Sequence, residues 1–311
     1  PKAAGLFHAA ISQSAPEMNL ARLREEHRGR ESAEKQGTKL IAGCGLSEST
    51  DASQMRAIPA ETLVKTFPTL EVDRPKDLTL AGIPLPIAPI IDGVVIPNDP
   101  NIILAGGKQN KVPLIVGNTK DEMTGFLMQT KTPADLGGYT KELADDFGHL
   151  AEAMFQAYPG KEAKEIRGAI TVLLGDMTFV SQARFAARAQ ADAGPKTYRY
   201  EFARGSKQGI LKAMGAHHGA ELAYIFQRPA DADQTDAKIS KAIGQYWINF
   251  AATGDPNGEG LPTWPAYSRE MEQMVQFADD VIVLERHRND QLDVLDKHLR
   301  GKAPGPTAQG N

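Results

Sequence analysis

The sequence predicts an α/β fold, and three observations carry that reading. Short apolar runs look like buried strands, and stretches of helical period separate them. The third observation is composition: 311 residues, 41% hydrophobic and 24% charged, are ordinary for a globular chain able to bury a sizeable core. Length alone suggests about two domains, although α/β folds of this size are often single units.

Gly5 to Ser14 reads as a helix end running into the apolar strand Ala9-Ala10-Ile11-Ser12-Gln13-Ser14. Residues 19 to 43 read as one long polar helix, with Gly43 and Gly45 suited to its C-terminal cap. Two short helices follow, the second starting at Pro59. Pro84, Pro86, Pro89, Pro97 and Pro100 make 82 to 100 extended and irregular. Val112-Pro113-Leu114-Ile115-Val116-Gly117 is an apolar run ending in glycine, the pattern of a buried parallel strand. Residues 133 to 193 are helical in pattern, and Thr197 to Phe202 alternates aromatic and polar as a strand does. Residues 236 to 253 place Ile239, Ile243, Tyr246, Trp247 and Phe250 on one helix face. Met274 to Phe277 and Val281 to Leu284 read as a final strand pair. The Gly/Pro/Ala-rich tail from Gly301 is expected to be disordered.

A formal charge of −4 gives no reason to expect nucleic acid or an anionic membrane as partner. No apolar run approaches the roughly 20 residues of a membrane helix, and Pro1-Lys2-Ala3-Ala4 has no apolar signal region behind it. A single cysteine, Cys44, permits no internal disulfide and reads as a small buried hydrophobe. No His or second Cys stands at metal-ligand spacing, so a zinc site is not indicated.

Two segments carry candidate chemistry. In Gly117-Asn118-Thr119-Lys120-Asp121-Glu122, a carboxylate lies just past a buried strand, on the edge where open α/β sheets place ligands. Either Asp121 or Glu122 could orient a histidine; the competing reading is a pair of solvated carboxylates at a helix start. In Gly215-Ala216-His217-His218-Gly219-Ala220-Glu221, adjacent histidines suggest an exposed loop before a helix. Histidine is the usual base for activating a hydroxyl, and neighbours point in different directions, so at most one serves. The competing reading is a polar loop with surface histidines. A G-x-S-x-G turn is absent; Ser32 is flanked by Arg30 and Glu34 where the tight turn needs glycines, and it falls mid-helix on this reading. An H-G-G-G oxyanion loop is absent as well.

These residues belong to a larger pattern. Gly5 to Ser14, Pro89-Ile90-Ile91-Asp92-Gly93, Val112 to Glu122, Gly215 to Phe226, Tyr246 to Asn257 and Leu261-Pro262-Thr263-Trp264-Pro265 occur in the order found in type-B carboxylesterases. The chain resembles that family, which includes cholinesterases and bacterial para-nitrobenzyl esterases, over nearly its whole length. The resemblance implies the C-terminal portion of an α/β-hydrolase fold, a mixed and mostly parallel sheet with helical insertions, over residues 1–300, with a disordered tail at 301–311. It implies a carboxylic ester hydrolase acting through an acyl-enzyme on a small-molecule ester, without metal, cofactor, nucleic acid or membrane insertion. By resemblance Glu122 matches the triad acid and His218 the base, Ser14 matches a serine hydrogen-bonding near them, and Glu221 a buried carboxylate behind the histidine. The nucleophile serine and the oxyanion loop are then expected upstream, the elbow roughly a dozen residues before Pro1, so the N-terminal part of the same protein is the expected partner. The alternative expectation is a catalytically inactive binding or adhesion module of the same family. Two departures stand out. Ala15 follows Gln13-Ser14 where the family usually has glycine, and Gln54 and Met55 stand where a partner cysteine is frequent, which suits a bacterial enzyme. Phe126, Leu127 and Phe155 are candidates for lining a substrate pocket, with core packing the favoured role for each.

Overall fold

The computed structural model describes residues 3–16, 20–27, 29–47, 49–66, 88–128, 130–207, 209–229 and 233–301. They fall in two compact units, one drawn from Pro1–Lys2 and Met18–Gly106, the other from Ala3–Glu17 and Gly107–Asn311.

The first unit holds helices α1 (Ala33–Gly43), α2 (Ala52–Arg56), α3 (Ala60–Thr66) and α4 (Pro100–Ala105). The long helix expected from residue 19 begins only at Ala33, and Ser32 is not mid-helix but its N-cap, accepting from the Lys35 amide at 3.2 Å. The reason lies upstream. Gly29 takes φ +73°, and Arg22 and Leu23 carbonyls accept the Ala33 and Glu34 amides, so the chain before Ser32 is irregular backbone pairing with Ile91. Gly45, at φ +81°, terminates α1 as expected. Asp51 and Gln54 cap each other at the start of α2, and Asp99 caps α4, whose first residue is Pro100. That helix had no counterpart in the sequence reading. Residues 88–99 are irregular, as the prolines there require, and the Asp92 carboxylate accepts three successive amides from Val94, Val95 and Ile96. Pro84 and Pro86 lie outside the described residues.

The second unit is built on a sheet of five strands among the described residues: β1 (Ala10–Gln13), β2 (Leu114–Thr119), β3 (Thr197–Phe202), β4 (Met274–Phe277) and β5 (Val281–Leu284), in that spatial order. The first four run parallel and β5 returns antiparallel. Helices α5 (Leu136–Phe147), α6 (Ala151–Ala157), α7 (Ala163–Gly175) and α8 (Ser181–Asp192) fill the stretch read as helical. Then come α9 (Gly209–Met214), α10 (Ala220–Ile225), α11 (Gln234–Thr253) and α12 (Asn289–Gly301). The last was not foreseen, and the tail beyond it lies outside the described residues.

Period-two alternation divides β3 between two layers. Tyr198, Tyr200 and Phe202 join the α11 face of Ile239, Ile243, Tyr246, Trp247 and Phe250, together with Trp264 and Phe277, in one aromatic core. Trp264 stands edge-on to Tyr246, their rings 5.3 Å apart, and donates to the Arg199 carbonyl. On the other face Val116 packs with Ala183, Ala187 and Tyr267. Gly117 is glycine because its strand partner Tyr200 comes so close that a Cβ would sit 2.3 Å from the ring.

Between α7 and α8 the helix widens into one π turn, Asp176–Val180. Its Asp176 is buried, accepts from the Tyr158 hydroxyl at 2.9 Å and is paired with Arg288. Burial is the largest influence on that carboxyl and pushes its pKa up to about 6, against the pull of Arg288.

Candidate active site

The parallel register of β1 and β2 delivers Ser14 and Glu122 to one sheet edge, each just past a strand's C-terminal end. Ser14 sits at φ +46°, a left-handed turn that leaves its amide donating to the Gly117 carbonyl at 2.8 Å. Its hydroxyl donates to Glu122 Oε1 at 2.6 Å, and the Thr119 amide donates to the same oxygen at 2.7 Å. One oxygen of Glu122 is thereby fixed within a side chain only 1% exposed.

The other oxygen meets a histidine. His218 Nδ1 lies 2.6 Å from Glu122 Oε2 across a sequence separation of 96. A carboxylate only accepts, so the ring nitrogen facing it is the donor. The imidazole side chain is 39% exposed, and no described residue hydrogen-bonds its Nε2. The ring lies against Phe179 of the π turn, centroids 5.0 Å apart, and against Phe126 at 5.5 Å. The hydrogen bond to Glu122 is the main influence on the imidazole and raises its pKa; partial burial opposes this, and the charges of Glu122 and Glu221 add to it.

Glu221, on α10, is buried and accepts from Gln13 Nε2 at 3.3 Å. Gln13 Oε1 in turn accepts from Trp247 Nε1 at 3.3 Å. Burial raises the Glu221 carboxyl above its ordinary range. The Tyr200 hydroxyl is buried nearby, and burial lifts it well above the ordinary phenol range.

Of the two alternatives in each pair, the neighbours face elsewhere. Asp121 Oδ2 accepts from the Ala216 amide at 2.9 Å, and the Asp121 amide donates to the Ala216 carbonyl at 3.0 Å. His217 Nδ1 is turned to the Gly215 carbonyl. Ser14, Glu122, His218 and Glu221 are thus brought to one place, and Ser32 lies in the other unit. Phe126 is exposed against the imidazole, whereas Leu127 is buried and Phe155 packs on Tyr139. Sequence reasoning missed Gln13, Phe179 and the part played by Asp121. Phe179 carried no signal, because a π turn looks like any helix until one residue is left over.

Among the described residues no group of three or more His, Cys, Asp or Glu could hold a metal ion. No described helix is long and apolar enough to cross a membrane.

Comparison with known proteins gives a consistent picture. A family model described as the carboxylesterase family matches residues 1–295. A liver carboxylesterase of Sus scrofa is 30% identical over 335 residues, covering 98% of this chain and 57% of its own length. Carboxylesterase 5A of Felis catus is 31% identical over 320 residues, covering 94% and 55%. A medium-chain fatty acyl-CoA hydrolase precursor of Anas platyrhynchos is 28% identical over 292 residues, covering 87% and 50%. The chain spans about half the length of the curated relatives it matches. Two solved structures of a PNB esterase superpose with TM-scores of 0.72 and 0.71 at 23% identity, covering 95% of this chain and 58% and 59% of theirs. The fold they share with this chain is the α/β-hydrolase fold.

Proposed function

The chain belongs to the carboxylesterase family, and on that premise we propose that it supplies the acid and the base of a Ser-Glu-His triad that hydrolyses carboxylic esters. In this reading Glu122 is the acid and His218 the base, and the nucleophile serine and oxyanion donors stand on residues encoded before Pro1. The observation that carries it is the 2.6 Å contact between Glu122 Oε2 and His218 Nδ1, with the second carboxylate oxygen held by Ser14 and Thr119.

The chemistry follows from that geometry. With Nδ1 committed to Glu122, Nε2 is the nitrogen that takes the serine proton as the hydroxyl attacks the ester carbonyl. It then returns the proton to the leaving alcohol, giving an acyl-enzyme, and repeats the cycle with water. Glu122 keeps the tautomer and stabilises the imidazolium; the charge of Glu221 acts in the same direction. Ser14 and the Thr119 amide hold Glu122 by one oxygen, so that the other stays aimed at the ring. Oxyanion donors from the upstream residues would contribute about 3 kcal/mol each. The substrate is a small-molecule carboxylic ester, a class supported by the names of the relatives.

A fluorophosphonate probe tests where the nucleophile lies. The 311-residue chain is expected to remain unlabelled, and the polypeptide extended upstream of Pro1 to be labelled at a single serine, with the labelling lost in its His218→Ala variant. Stoichiometric labelling of the 311-residue chain itself would sink the proposal.

A further inference from the structure

We infer that Asp121 is a positioning residue that sets the distance between Glu122 and His218 by pinning the histidine's loop to the acid's turn. The inference rests on the proposed roles of those two residues. Asp121 immediately precedes the acid, and Ala216 stands two residues before the base. Between them run two hydrogen bonds in opposite senses: the Asp121 amide to the Ala216 carbonyl at 3.0 Å, and the Ala216 amide to Asp121 Oδ2 at 2.9 Å. One backbone bond alone would leave a hinge; the side-chain bond beside it fixes the orientation as well. Thr124 adds a second attachment, its hydroxyl reaching the Met214 carbonyl at 2.6 Å and the Asp121 carbonyl at 2.9 Å.

The loop needs an outside tie. It is bounded by Gly215 at φ +62° and Gly219 at φ +79°, two residues with the widest backbone freedom. The site is also shaped around the Asp121 carboxylate: a Cβ at Gly215 would lie 2.3 Å from Oδ2. Without the Asp121 side-chain bond the loop keeps the backbone bond to Ala216 and the Thr124 tie, which hold it near the acid turn but leave its orientation free, and an error of about 1 Å in the 2.6 Å contact at His218 costs on the order of a hundredfold in rate. Asp121 touches no reacting atom; it acts through the loop.

Proton NMR of the 311-residue chain with labelled histidine tests this without any nucleophile. The His218 Nδ1 proton should resonate far downfield, and it should vanish in Glu122→Gln; its persistence there would overturn the acid–base reading itself. Given that control, Asp121→Ala is expected to lose the downfield proton and to let the His218 pKa fall to the ordinary value of about 6.5. Asp121→Asn keeps an acceptor oxygen and is expected to restore both. An Asp121→Ala protein with unchanged resonance and unchanged pKa refutes the inference, as does failure of Asp121→Asn to restore them. If circular dichroism shows that Asp121→Ala does not fold, Asp121→Glu carries the same test, because it keeps the carboxylate but moves its oxygens one methylene away from the position that accepts the Ala216 amide; an unchanged resonance and pKa there refute the inference.

Discussion

Ser14→Ala isolates the contact that orients the acid. The substitution removes one hydroxyl, 2.6 Å from Glu122 Oε1, and leaves that oxygen with the Thr119 amide alone. Both side chains are buried, so water does not replace the lost donor. A hydrogen bond to a charged group contributes about 1.5–3 kcal/mol, and a buried acceptor deprived of its donor sits toward the upper part of that range. The expected loss is about 2 kcal/mol. Ser14→Gly loses the same hydroxyl but relieves the left-handed backbone at φ +46°, which costs an L-residue about 1–2 kcal/mol. Glycine should therefore be about 1 kcal/mol less damaging than alanine, the reverse of the usual ranking in regular structure. The chain's two tryptophans, Trp247 and Trp264, both lie in the core of the same unit, so urea unfolding followed by tryptophan fluorescence reports it. At a slope of about 3 kcal/mol per molar urea, alanine should lower the midpoint by about 0.7 M. An alanine midpoint equal to wild type, or a glycine variant weaker than alanine, would refute the reasoning.

The pH dependence has a definite sign. The folded-state pKa of His218 is raised above its unfolded value of about 6.5, so the pair's stabilisation is complete below about pH 6.5 and is lost as pH climbs through the folded value. The melting temperature of wild type relative to Glu122→Gln should therefore shrink between about pH 5 and 8; a gap that widens with pH would contradict this. Gly117→Ala places a methyl group 2.3 Å from the Tyr200 ring and 2.4 Å from its backbone oxygen. It should cost at least about 2 kcal/mol by chemical denaturation, since neither the ring nor the strand can yield.

The legible part of the fold was the part with strong period. β2 declared itself as a continuous apolar run, β3 by alternation and α11 by helical spacing, and the structure buries β3, most of β2 and the apolar face of α11. The helix expected from residue 19 failed because polarity at 20–31 suits a solvated helix and an irregular segment equally. What stops it is a glycine at positive φ and a long-range pairing with Ile91, neither visible as a period. At the site, pattern alone left Asp121 against Glu122 and His217 against His218. The family resemblance chose within each pair; in the structure Asp121 Oδ2 accepts from the Ala216 amide while Glu122 Oε2 faces His218 Nδ1, contacts between residues 95 and 96 positions apart that no local pattern shows. Phe179 stayed hidden because its placement on the imidazole depends on the extra residue of a π turn.

The central claim is that Glu122 and His218 act as one proton-handling unit in ester hydrolysis. Its most direct test is kcat/KM for a p-nitrophenyl ester, measured on the polypeptide extended upstream of Pro1 and on its His218→Ala, Glu122→Gln and doubly substituted variants. His218→Ala is expected to lose about 10⁴-fold or more and the double variant to lose nothing further, because residues that work as a unit are not additive. Activity of His218→Ala within tenfold of the unsubstituted protein, or losses that multiply in the double variant, would contradict it.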